Sequence, residues 1–251
     1  MQRREFITVL AGALAACPHT AGAQQNGPLP VLGFLESGSR IEFAERVDAF
    51  RQGLSRFGYS ENRNLVIEYR FAQGHYDLLP EMAADLVRRQ VAAIVATGSP
   101  NSAQAAQAAT QTIPIIFANG GDPIKLGLVT SLNRPTGNIT GLTFFNSSLV
   151  SKRIELAREL VPTAKLLGVL VNPDNPNTSS DITAIHNAAQ GIGLEVLTIN
   201  ANIERDFETA FAMFVQRKVD AIFVNNDAFL VPARSKSPPS QRALRYQRFI
   251  T

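Results

Sequence analysis

Short apolar runs alternate with amphipathic stretches along nearly the whole chain, and that alternation leaves few folds open. Val31–Leu35 reads as a buried strand. Ile41–Phe57 sets Phe43, Val47, Phe50, Leu54 and Phe57 at helical spacing and stops at Gly58. Leu65–Phe71 reads as a strand, Leu78–Arg89 as a helix, Val91–Ala96 as a strand, Ser102–Thr110 as a helix and Ile113–Ala118 as a strand. A connecting stretch runs from Leu128 to Phe145. The pattern then restarts: helix Leu149–Leu160, strand Leu166–Val171, helix Ile182–Ile192, strand Leu194–Ile199, helix Phe207–Val215 and strand Ala221–Val224. Strands separated by helices of this length form right-handed βαβ units with parallel pairing. The sequence therefore predicts an α/β protein of two Rossmann-like βα lobes with parallel sheets. The Pro-, Gly- and Asn-rich break at 133–141 divides them, with a crossing near 140–148. One continuous seven-stranded sheet is the competing arrangement.

The first residues limit where such a chain works. Arg3 and Arg4 precede an apolar run from Phe6 to Ala16, and Ala21-Gly22-Ala23 supplies small residues for cleavage. This is the layout of an export signal over 1–23. The run is too short for the roughly 20 residues that span a bilayer. The paired arginines also resemble a twin-arginine signal. Cys17 is the only cysteine, so the domain after the signal cannot close an internal disulfide. Leu14-Ala15-Ala16-Cys17 fits a lipidation motif as the alternative to cleavage after Ala23. The expected location is the periplasm, free or tethered through Cys17.

The isoelectric point near 9.2 suggests an acidic partner. Five basic residues and no acid lie at 231–251, however, and Arg3 and Arg4 lie in the signal. The part between holds 17 basic and 20 acidic residues. Nucleic-acid binding has little support.

In open parallel sheets a ligand sits beyond the C-terminal ends of the strands, where helix N-termini present free N–H groups. The strand-end loops here carry Glu36, Ser37, Ser39, Thr97, Gly98, Ser99, Asn119, Asp122, Thr143, Phe144, Phe145, Asn172, Asn175, Asn226 and Asp227. Most of these groups donate and accept hydrogen bonds without titrating, which suits holding a small polar or zwitterionic molecule. Ser and Asn also cap helices and make turns, so the set of loops says more than any member. Glu36 is placed to pair with a ligand ammonium. Asp122, before Pro123, looks like a cap. One of Phe144 and Phe145 is expected to face the cleft. No G-x-G-x-x-G, P-loop, H-E-x-x-H or G-x-S-x-G motif occurs, and His75 and His186 have no partner at metal-ligand spacing. The reading is a binding module with no catalytic residue, metal or cofactor.

RREFIT (3–8), VLGFLESGS (31–39), FRQGL (50–54), LPEMAADLVRRQVAAIVATG (79–98), GDPIKLGLVTSLNRPTGNITG (121–141) and LVPTAKLLGVLVNP (160–173) carry a resemblance. The chain is similar to substrate-binding proteins of ABC transporters in the type I periplasmic-binding class, nearest the tryptophan/tyrosine-type binders. The resemblance implies a monomeric clamp that closes on an amino acid or similar small molecule and delivers it to an inner-membrane permease. It also implies further strands beyond Phe229. Instead, 231–251 is rich in Arg, Ser, Pro and Gln and is expected to be disordered or read out of frame. The expected organisation is a signal at 1–23, a first lobe at 29–145, a partial second lobe at 146–230 and a basic tail. The alternatives are an exported α/β enzyme and a non-functional truncated member of the binding family.

Overall fold

The computed structural model describes residues 28–135, 137–230 and 249–250. The export signal at 1–23, the lipidation motif at Cys17 and most of the basic tail lie outside the described residues.

The first half of the chain builds strand β1 (Val31–Glu36), helix α1 (Ala44–Arg56), β2 (Val66–Phe71), α2 (Leu79–Arg88), β3 (Ala93–Thr97), α3 (Pro100–Ala109), β4 (Ile115–Asn119) and β5 (Ile139–Thr143). They form one parallel sheet in the order β2-β1-β3-β4-β5. Successive side chains of a strand point to opposite faces. Thus Phe34 packs with Val47, Leu65, Ile67 and Val95, while Leu35 packs with Leu79, Leu86, Ile94 and Ile115. Both faces are covered, so β1 is apolar almost throughout.

The second half builds α4 (Val150–Leu160), β6 (Leu166–Val171), α5 (Thr178–Gly191), β7 (Glu195–Asn200), α6 (Asp206–Gln216) and β8 (Ala221–Val224). Its parallel sheet runs β7-β6-β8-β9, where β9 is Phe249–Ile250. Val169 and Val171 face Ile185 on one side, and Leu170 faces Phe207 and Phe214 on the other. Two separate sheets, rather than one continuous sheet, hold the strands.

One reading needs correction. Ile139–Thr143 belongs to the first sheet as its fifth strand, because its register against Ile115–Asn119 extends the parallel ladder. Phe249–Ile250, inside the tail expected to be disordered, pairs with Ile222 and Phe223. All four β8 residues are buried, and an open edge beside them would leave backbone groups unpaired.

Candidate functional site

In the first lobe, strand ends come level through parallel register. Glu36 of β1 stands beside Thr97 of β3. The Thr97 hydroxyl donates to Glu36 Oε2 at 2.5 Å, and the Gly38 N–H donates to Oε1 at 2.9 Å. The Ser37 hydroxyl adds a longer bond to Oε1, and Ser37 Oγ accepts the Ser99 N–H at 2.8 Å. Gly98 has φ +90°, and a Cβ there would lie 1.9 Å from Glu36 Oε1. Only glycine permits that approach. Glu36 is 1% exposed, and burial raises its pKa against these donors.

The other first-lobe candidates are engaged locally. Ser39 Oγ donates to Glu42 and accepts its N–H. Ser99 caps α3 by accepting the Asn101 N–H. Asp122 accepts from the N–H groups of Ile124 and Lys125, the cap its sequence suggests. Thr143 Oγ1 donates to the Gly121 carbonyl at 2.6 Å and accepts the Phe145 N–H. Asn119 Oδ1 accepts the Gly121 N–H, while its buried Nδ2 has no hydrogen-bond partner.

The second lobe arranges its strand ends around two carboxylates. Asp227, after β8, accepts from Asn172 Nδ2 at 3.2 Å, Asn175 Nδ2 at 2.7 Å and the Phe229 N–H at 2.9 Å. The Leu230 N–H adds a 3.3 Å bond. The Tyr76 hydroxyl, from a 3-10 turn of the first lobe, donates to Asp227 Oδ2 at 2.8 Å. Burial raises the Asp227 pKa against these donors, and burial beside the Asp227 charge raises the Tyr76 phenol. Phe229 stacks on Phe207 and lies so close over Gly74 that a Cβ there would meet its ring at 2.8 Å. The second carboxylate, Asp181, sits in the first turn of α5. Its Oδ2 accepts from Asn225 Nδ2 at 2.9 Å, and its Oδ1 accepts no hydrogen bond. Burial raises its pKa, against the pull of Asn225, Ser147 and the Arg153 charge.

Between the lobes lies a small polar cleft, partly open to solvent. Its walls include Gly98, Pro100 and Gly120 from the first lobe. The second lobe contributes Asn146, Asn177, Asp181 and Asn226, with Ser147, Val150, Asn175, Asn225 and Asp227. The N-termini of α3, α4 and α5 converge there, and they favour negative charge on whatever occupies it. The lobes touch beside it: Asn101 Nδ2 donates to the Asp174 carbonyl at 3.0 Å.

Of the residues singled out from sequence, Gly98, Asn175, Asn226 and Asp227 line this cavity. Asn172 holds Asp227 from behind. Glu36, Ser37, Ser39, Thr97, Ser99, Asn119, Asp122 and Thr143 do not line it. Phe144 and Phe145 are exposed and neither faces the cavity; Phe145 adopts φ +49° at the start of the crossing. Phe34, near the end of β1, packs among Phe50, Tyr69 and Phe71. Asn146, Ser147, Asn177 and Asp181 also line the cavity and are not among those candidates, and Asn225 lines it from a strand-end loop that the sequence does mark. The signal that finds them is the first turn of each second-lobe helix, with the residue next to each strand-end Asn. Among the described residues no group of His, Cys, Asp and Glu is arranged to hold a metal ion.

Two parallel sheets whose C-terminal ends meet across a polar cleft define a two-lobed solute-binding architecture. Residues 30–235 match the model of the ABC transporter substrate binding protein family, and the chain belongs to that family. It is 32% identical over 182 residues to the tyrosine-binding protein of Clostridioides difficile (strain R20291), a match over 72% of this chain and 52% of that protein. The chain thus spans about half the length of this curated relative. A conserved domain protein from Vibrio cholerae superposes with TM-score 0.75 at 27% identity, over 82% of this chain and 69% of the other. An ABC domain from Streptococcus pneumonia in complex with L-Trp superposes with TM-score 0.71 at 25% identity, over 81% and 67%.

Proposed function

We propose that this chain is the solute-capturing component of an ABC importer, exported to the periplasm, that holds an amino acid or similar small molecule between its lobes for a membrane permease. The observation that carries the reading is the interlobe cavity, walled by first-lobe backbone and second-lobe polar side chains and bridged by the Tyr76–Asp227 bond. Helix N-termini supply a place for a ligand carboxylate without a basic side chain. The family membership and the tyrosine- and tryptophan-binding relatives support this ligand class.

Export by the N-terminal segment, tethering through Cys17 and action as a monomer belong to the same proposal. Closure follows if a ligand binds the closed arrangement better than the open one. The relatives are binding proteins, which fits a reading without chemistry. The test is a thermal-shift screen of the full chain against amino acids and small organic acids, with calorimetry on any hit. A saturable one-to-one rise in melting midpoint, with the ligand recovered unchanged, is the expected result. Conversion of a ligand to product would favour the enzyme alternative, and no shift with any compound would favour the non-functional one.

A further inference from the structure

Three buried carboxylates gather where the lobes meet, and they differ in how completely they are satisfied. Glu36 accepts from Thr97, Gly38 and Ser37 and does not line the cavity. Asp227 lines it but has donors on both oxygens, from Asn172, Asn175, Tyr76 and two backbone N–H groups. Asp181 lines it with one oxygen bonded to Asn225 and the other, Oδ1, buried and accepting nothing. The residue is 3% exposed. A buried ionised carboxylate with an unmet oxygen is costly and calls for a donor. Among the described residues no Lys, Arg or His lines the cavity. Arg153 acts on Asp181 only through space, and Ser147, also on the cavity wall, pulls on the carboxylate without giving Oδ1 a hydrogen bond.

We propose that Asp181 is the specificity-determining anchor for a primary ammonium group on the ligand, with Oδ1 accepting one of its three N–H donors. This rests on the reading of the cavity as the solute site and moves the ammonium partner from Glu36, where the sequence placed it, to Asp181. An ammonium fits better than a neutral donor because it supplies charge as well as a proton donor. The cavity then selects amines and zwitterions over ligands that carry only a carboxylate.

The test uses the full chain and two matched probe series. One is L-tyrosine, tyramine and 3-(4-hydroxyphenyl)propanoate; the other is L-tryptophan, tryptamine and indole-3-propanoate. In at least one series the amine-bearing members are expected to bind, and the propanoate about 10- to 100-fold more weakly, the range of a charge-assisted bond. Asp181→Asn is expected to lose that preference, the amine-bearing members weakening at least tenfold while the propanoate does not weaken. A propanoate that binds as tightly as its amino acid overturns the assignment and leaves the solute-binding reading standing. So does retention of amine affinity within about threefold by a folded Asp181→Asn, since a lost charged bond costs at least tenfold. A midpoint rise with calcium or magnesium chloride alone would also overturn it, in favour of a metal. No binding in either series overturns the assignment together with the solute reading. If Asp181→Asn fails to fold by circular dichroism, the wild-type comparison within each series still decides.

Discussion

The two lobes use the same βα architecture and opposite chemistry at their strand ends. In the first lobe the polar groups turn inward: Glu36, Ser37 and Thr97 bond one another, and Ser99 and Asp122 cap the turns beside them. What this lobe shows the cavity is Gly98, Pro100 and Gly120. In the second lobe Asn175, Asn177, Asp181, Asn226 and Asp227 form the wall; Asn175 and Asp227 are bonded to each other, and Asp181 keeps one oxygen with no hydrogen bond. A side chain committed to holding loops together is a poor recogniser, because its hydrogen bonds are already made. On the proposed reading the first lobe serves as the platform and the second lobe discriminates.

The sharpest way to break this contrast is at Gly98. Gly98→Val puts a side chain where Glu36 Oε1 stands and forces a β-branched residue to φ +90°. We expect a loss of about 3 kcal/mol or more in denaturant unfolding. Gly58→Ala, at φ +84° with open space around it, should cost only about 1 kcal/mol. Equal losses would remove the argument for a packed first-lobe loop cluster.

Asp227→Asn comes next. It turns an acceptor of several donors, one of them across the lobes, into an amide that cannot accept on both atoms. A loss of about 2–3 kcal/mol is expected. Tyr76→Phe removes one donor and leaves the others, so it should cost about 1 kcal/mol. If Tyr76→Phe matched Asp227→Asn, the cross-lobe bond rather than the second-lobe network would carry the stability.

Asp181→Asn should behave differently from both. Its Oδ1 has no donor to lose, and the amide oxygen can still accept from Asn225. Stability within about 1 kcal/mol of wild type, or above it, is expected in thermal melts, because a buried charge is removed.

The smallest effect is pH. Burial raises the pKa of Glu36, Asp181 and Asp227 in the folded chain. A carboxyl raised on folding contributes stability that is complete below its unfolded pKa and is lost as pH rises through the folded value. The melting midpoint should therefore rise as pH is lowered toward the ordinary carboxylate range of about 4, and rise less in Asp181→Asn. Asp85, lowered by its bond to Arg70, works in the opposite sense only below its ordinary value of 3.8.

The sequence showed the fold where burial is two-sided. β1 and β6 carry unbroken apolar runs because helices cover both faces, and such runs are easy to see. It failed where the signal is polar. Apolar spacing predicts helix α5 from Ile182, yet it begins at Thr178, since Thr178-Ser179-Ser180-Asp181 has no apolar spacing to announce a helix. Asp181 was hidden in that missed turn. Their place at the crossing predicts that one of Phe144 and Phe145 faces the cleft, but both are exposed beside the left-handed turn at Phe145. Glu36 was a fair candidate from its position at a strand end. What the chain could not reveal is that Thr97, 61 residues away, would come into register and occupy it.

The asymmetry between the lobes is tested most directly by isothermal titration of L-tyrosine and L-tryptophan into the wild-type chain, Asp181→Asn and Ser37→Ala. The account predicts that Ser37→Ala binds like wild type, though it melts lower, and that Asp181→Asn binds at least tenfold more weakly at nearly unchanged stability. Full affinity in Asp181→Asn with loss of affinity in Ser37→Ala would place recognition in the first lobe and contradict it.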